Sequence, residues 1–177
     1  MRKTMAIATL GAILLAGTAA QADVLSEGDN LIGGAIGFGF SAWNSAPTYS
    51  VTYERGLVDN VFQGFNLGVG GIASHTNFST SQDYSVSLTF IGAQAVLHYD
   101  TGRSAFLPYG GITLGFNTLS FTDDDFSESY DGGLTAGGLV GGRYYFADDF
   151  AANVRLSTNT GSGFGYTVVS AGVDYRF

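Results

Sequence analysis

Apolar and polar residues alternate with a period of two along most of this chain, in runs of about ten broken by Asp, Asn, Gly and Ser. That period belongs to β-strands, whose successive side chains point to opposite faces. Eight such segments stand out, at about 30–43, 49–57, 62–74, 84–99, 105–120, 133–146, 150–158 and 163–177. Convincing amphipathic helices are missing, because Gly interrupts almost every window. The breaks alternate in character. "LVDNV", "DTGRS" and "ADDF" read as tight turns, in which Asp, Asn and Gly supply local hydrogen bonds or tolerate left-handed backbone. "NSAPT", "SHTNFSTSQD", "FTDDDFSESYDG" and "NTGSG" are mostly longer and polar. Short turns at one end and longer loops at the other predict an all-β fold: an eight-stranded antiparallel up-and-down transmembrane β-barrel. An even strand number puts both termini on one side, the periplasmic one, and the loops carrying Asp123, Asp124, Asp125, Glu128 and Asp131 outside the cell.

Parity along each strand separates two faces. In the last segment Thr167, Val169, Ala171, Val173, Tyr175 and Phe177 share one face, while Tyr166, Val168, Ser170, Gly172, Asp174 and Arg176 share the other. Val154 and Leu156 oppose Asn153, Arg155 and Ser157; Val140, Tyr144 and Phe146 oppose Arg143; Tyr49, Val51 and Tyr53 oppose Ser50, Thr52 and Glu54. A membrane barrel turns its apolar face to lipid and its polar face to the lumen. Arg55 is the exception, on the lipid face near a turn where it can snorkel to water. A lipocalin-type barrel also closes eight strands but with the opposite polarity. Two features favour the membrane barrel. Tyr49, Tyr99, Tyr144, Phe146, Tyr175 and Phe177 lie near strand ends on the apolar face, as an interfacial girdle requires. The G-x-W motif of lipocalins is also missing, Trp43 standing in "SAWNS".

The first residues add a destination. Arg2 and Lys3, an apolar run from Met5 to Ala16 and the small residues around Ala20–Ala22 form the three-part pattern of a secretory signal peptide. The run is too short for a spanning helix. The expected division is a cleaved signal over 1–22 and a barrel domain over 23–177. The mature chain would hold no Lys and five Arg against fifteen Asp and Glu, a formal net charge of −10. Such a chain does not neutralise nucleic-acid phosphates. It has no Cys, which excludes disulfides, thiol chemistry and thiolate metal sites. The 27 Gly of the full sequence, beside 24 Phe and Tyr, point to closely approached barrel walls, with Gly making room for bulky neighbours on adjacent strands.

With its export signal, eight alternating strands, Gly-rich walls and closing "VDYRF", the chain resembles the small outer-membrane β-barrel superfamily of the OmpA-transmembrane, OmpX and opacity-protein type. In that superfamily a C-terminal Phe with apolar or aromatic residues at alternate preceding positions serves as the signal read by the barrel assembly machinery. The resemblance implies that role for Phe177, Tyr175, Val173 and Ala171. It implies outer-membrane lipid and lipopolysaccharide as the surroundings, and no cofactor.

Lipid A deacylases of the same fold pair Ser with His, which requires hydrogen-bond reach. Only His75 and His98 are available. His75 is expected in an extracellular loop beside Ser74, and adjacent strand residues point to opposite faces. No catalytic residues are assigned. "DDDFSESYD" lacks the spacing of a Ca²⁺ loop, and no metal site is assigned. The "GVGG" and "GGLVGG" runs precede no helix and are not phosphate loops. Glu54, His98, Arg143, Arg155, Asp174 and Arg176 share lumen parity on five strands. They are expected to form one interior charged layer that pairs with itself and plugs the lumen, in preference to a selectivity gate. The expected function is a monomeric, non-catalytic barrel maintaining the envelope and displaying loops around 76–83 and 122–131 to a surface ligand the sequence does not name. The alternatives are a small-solute or ion channel, a lipid A-modifying enzyme and a soluble periplasmic carrier.

Overall fold

A computed structural model of the chain describes residues 24–41, 45–79, 84–102, 105–123, 126–161 and 164–177. The signal peptide assigned to 1–22, Trp43, Asp124 and Asp125 lie outside the described residues. Eight strands follow in order: β1 Asn30–Ser41, β2 Ser45–Phe62, β3 Phe65–Ser79, β4 Tyr84–Tyr99, β5 Phe106–Asp123, β6 Phe126–Tyr145, β7 Phe150–Gly161 and β8 Phe164–Arg176. Each pairs antiparallel with its sequence neighbours, and β1 pairs with β8 to close the barrel. Closure leaves no edge in the wall, the condition for strands to stand in lipid. Asn30 and Phe177 exchange both backbone hydrogen bonds, at 3.0 and 2.9 Å, so the last residue is part of the seam.

Alternation puts apolar side chains outward. On β4 the outward residues are Tyr99, Leu97, Ala95, Ala93 and Ile91, followed by Thr89 and Ser87; on β8 they are Phe177, Tyr175, Val173, Ala171 and Val169, followed by Thr167. The apolar stretch is thus about nine residues per strand, the length a tilted strand needs to cross a hydrocarbon layer. At the end of the barrel that carries the termini, outward rings run from Phe146 to Phe150 (centroids 6.4 Å apart), to Tyr175 (4.9 Å) and to Phe177 (5.8 Å).

Strands run further than the alternation predicts. His75, expected in a loop, is a residue of β3, paired with Tyr49 and Thr89. The acidic segment is likewise no open loop: Asp123 closes β5, Glu128 and Asp131 belong to β6, and the pairs Asp123↔Phe126 to Thr118↔Asp131 continue the ladder past a bulge at Asn117/Thr118. Polar strand residues are legitimate where both faces meet water, so composition misread these extensions as loops. The pairing of β6 with β7 begins only at Ala136↔Thr160. Among the described residues, 126–134 of β6 therefore pair only with β5, and the β5–β6 ladder runs on past the β6–β7 one. "LVDNV" is also strand: β2 absorbs two register shifts between Gly56 and Phe62. The chain reverses at Gln63–Gly64 instead, where Gly64 has φ +79°.

The interior is layered. At the terminal end, residues 24–29 fold into the mouth. Gly28 N donates to Gly56 O (3.0 Å) and Gly56 N to Asp29 O (2.9 Å). A Cβ on Gly56 would collide with the Ser26 carbonyl oxygen, so Gly here permits a close backbone crossing. Val24 then packs with Leu107, Tyr145 and Ala151. Deeper lies the charged layer. The distal half holds an apolar cluster that includes Ile72, Phe78, Val86, Leu88, Phe90 and Val168.

Candidate functional site

The charged layer is built by six strands. Glu54 comes from β2, His98 from β4, Tyr109 from β5, Arg143 from β6, Asn153 and Arg155 from β7, and Asp174 from β8. All are buried: Glu54 is 0 %, His98 1 %, Arg143 1 % and Asp174 2 % exposed. Arg143 is the hub. Its Nε donates to Asp174 Oδ2 at 2.6 Å, its Nη2 to Glu54 Oε2 at 2.9 Å, and its Nη1 lies 3.1 Å from His98 Nδ1. The other His98 nitrogen, Nε2, is hydrogen-bonded to Glu54 Oε1. If Nδ1 accepts from the guanidinium, Nε2 carries the proton given to the carboxylate, which fixes the tautomer by geometry.

A second ring of contacts holds these groups in place. Asn153 Nδ2 donates to Asp174 Oδ2 (3.0 Å), and Tyr109 OH donates to Asn153 Oδ1 (2.6 Å). The Arg143 guanidinium stacks 4.6 Å over the Tyr109 ring. Arg155 approaches the same ring and spends Nε on Tyr109 OH (3.3 Å) and Nη1 on Gln94 Oε1 (3.2 Å). Glycines create the space: a Cβ on Gly33 would collide with the Asp174 carboxylate, one on Gly68 with Glu54, and one on Gly141 with the Tyr109 ring.

The structure therefore brings four of the six predicted residues, Glu54, His98, Arg143 and Asp174, into one paired cluster. Arg155 adjoins it through Tyr109 and makes none of the described ion pairs, which all centre on Glu54 and Arg143. Arg176 stands apart at the mouth. Its Nη2 donates to the Asp148 carbonyl (2.8 Å) and its guanidinium covers the Tyr145 ring at 5.3 Å. Tyr109, Asn153 and Gln94, which complete the network, were missed because an uncharged side chain at lumen parity looks like ordinary filler. Two lumen cavities border Arg155, each of about 10 Å³, the space of a single small particle.

On the outer wall the predicted Ser/His test resolves by parity. Ser74 faces inward while His75 faces outward, its Nδ1 3.0 Å from Thr89 Oγ1. The seryl hydroxyl and the imidazole adjacent to it in sequence lie on opposite faces of the wall. Phe177, Tyr175 and Val173, to which the resemblance gave an assembly role, all point outward along β8.

Apolar outside, paired charges inside and a closed eight-strand ladder agree with the sequence match, which runs over residues 8–177 to the outer membrane protein beta-barrel domain. The chain belongs to this outer-membrane β-barrel family. Among curated proteins no sequence matches. Solved structures share the fold. Neisserial surface protein A is similar at 20 % identity and TM-score 0.61, with 84 % of this chain and 96 % of that one covered. Ail, the attachment invasion locus protein of Yersinia pestis, is similar at 16 % identity and TM-score 0.59, covering 85 % and 99 %. The outer membrane enzyme PagL is similar at 15 % identity and TM-score 0.51, covering 82 % and 98 %. At these identities the likeness is one of architecture alone, and the same fold serves proteins as different as an outer membrane enzyme and an attachment invasion locus protein.

Proposed function

We propose that this family member is a plugged, non-catalytic barrel whose work is done at its surface. In this reading the signal over 1–22 is removed, the terminal end faces the periplasm, and the β3–β6 sheet projects outside the cell. Outer-membrane lipid and lipopolysaccharide surround the wall of a monomer, and Phe177 with Tyr175 and Val173 addresses the chain to the assembly machinery. The observation that carries the reading is the filled lumen: Arg143 ties Glu54, His98 and Asp174 across it, and the cavities beside Arg155 admit only single small particles. A channel needs a continuous aqueous path, which eight strands rarely leave.

Planar bilayers test this directly. The refolded barrel is expected to insert without conductance steps, and Arg155→Ala is expected to lower stability while the bilayer stays insulating. Steady ion conductance in either protein would favour the channel reading instead. Orientation has its own test, made simple by a chain without Cys. Ser129→Cys, on the projecting part of β6, is expected to react with a membrane-impermeant maleimide in intact cells, whereas Thr101→Cys reacts only after lysis. The reverse pattern would invert the topology. Lipid A mass unchanged by expression of the protein separates this function from that of a modifying enzyme.

A further inference from the structure

The outer wall changes character abruptly along one side. At the level of Ala73 on β3 the outward rung is apolar, Ala73 pairing with Ile91 and Ile91 with Phe116. One step further from the termini it is His75, Thr89 and Thr118, and the next is Asn77, Ser87, Ser120 and Ser129. Neighbours in this array stand about 4.8 Å apart across strands and roughly 6.8 Å apart along them. His75 Nδ1 lies 3.0 Å from Thr89 Oγ1, and Ser120 Oγ lies 2.9 Å from Ser129 Oγ. The array holds no Lys or Arg, and neither residue occurs from 56 to 102 or from 104 to 142.

Directly beside these rungs the lipid-facing wall is hollowed. A groove of about 650 Å³ runs over β1–β4 and β8, a volume typical of a small-molecule site. Gly34, Ala73 and Ala171 supply its small positions, and a Cβ placed on Gly34 would meet nothing within 4 Å. Ile36 and Ile91 stand exposed along it. Its outward polar side chains, Tyr49, His75 and Thr89, lie in a single rung, the one that begins the hydroxyl array. Apolar groove and polar array thus meet edge to edge, in the shape of an amphiphile.

We infer that this face holds one molecule of lipopolysaccharide as a resident ligand, with an acyl chain in the groove and the sugars on the Ser and Thr rungs. The inference rests on the reading that puts the end of the barrel away from the termini outside the cell. A hydrocarbon chain in a groove touches wall atoms on several sides, where a flat wall offers one. The head is recognised through sugar hydroxyls, which both donate and accept, as Ser and Thr hydroxyls do. Phosphate is not the handle. It is held by Arg or Lys, which this face lacks, and Asp123, Glu128 and Asp131 follow on the adjoining strands.

The barrel refolded in detergent tests this without reference to its orientation in cells. Two probes are compared by titration: lipopolysaccharide bearing its core oligosaccharide, and the lipid A part alone. The core-bearing form is expected to bind roughly tenfold tighter, what one or two net hydrogen bonds supply. That advantage is expected to survive EDTA and removal of the phosphates. Thr89→Val combined with Thr118→Val keeps the shape, removes two hydroxyls and is expected to erase most of it. Ala73→Ile fills the groove from the lipid side, outside the core of the barrel, and is expected to weaken both probes alike. Equal affinity for the two probes, binding lost on chelation or dephosphorylation, or unchanged binding by Ala73→Ile would each overturn the inference. So would a dimer in detergent that Ala73→Ile dissociates, which would give the groove to a second copy, or displacement of both probes by a phospholipid without sugar. Reversed maleimide labelling in cells, with sugar-selective binding kept in detergent, would overturn the orientation and still support the face.

Discussion

Arg143 shows how one side chain organises an interior. It is 1 % exposed and engages two carboxylates and an imidazole, so its charge is compensated and its donors are spent. Removing it would strand Glu54 and Asp174, two buried anions, without their cation. Arg143→Met is therefore expected to destabilise the barrel by about 3–5 kcal/mol, the range for breaking a buried pair from one side. Urea-induced unfolding in lipid vesicles measures it, and a loss under about 1 kcal/mol would show that water already solvates the layer. The sequence carried the ingredients of this cluster. Charges at one parity on five strands had to face each other once the wall closed, because no other place in lipid accepts them. It could not say that Arg176 drops out, since that depends on how far up its strand the residue sits relative to the mouth.

At the scale of the strand, the small residues matter as much as the charged ones. Gly141 on β6 lies beneath the Tyr109 ring, and the ring in turn bonds Asn153 and carries two guanidinium groups. Gly141→Val is expected to push Tyr109 aside and loosen this whole network. A changed tyrosine fluorescence or near-ultraviolet circular dichroism signal, with the far-ultraviolet β signal kept, would register the effect; an unaltered signal would show that the ring yields without cost. Strand ends were the least legible feature. Polar strand and polar loop have the same composition, as His75, Asp123, Glu128 and Asp131 show by lying in strands. Only the ladder partners tell them apart.

For the molecule as a whole, Phe177 is where the proposed assembly role and a purely structural one make different predictions. Phe177 exchanges backbone hydrogen bonds with Asn30 and stacks outward on Tyr175, 5.8 Å away. Deleting it removes one rung of a seam that β1 and β8 hold with eleven further pairs. The finished barrel is thus expected to lose little stability, while insertion into the outer membrane in cells falls sharply. Parallel measurement of outer-membrane yield and of the refolded variant's unfolding midpoint separates the two effects. An equal loss in both would reduce Phe177 to a structural residue.

The sequence by itself determined the class of fold, the strand count and the two faces, because period-two alternation is local and a hydrocarbon layer tolerates only a closed, outward-apolar wall. It also determined which charges must lie inside. Tertiary structure alone decided which of them touch: that Glu54, His98, Arg143 and Asp174 meet across the lumen while Arg155 stands beside them without a carboxylate. Those contacts depend on shear and register, which set the relative heights of residues on different strands.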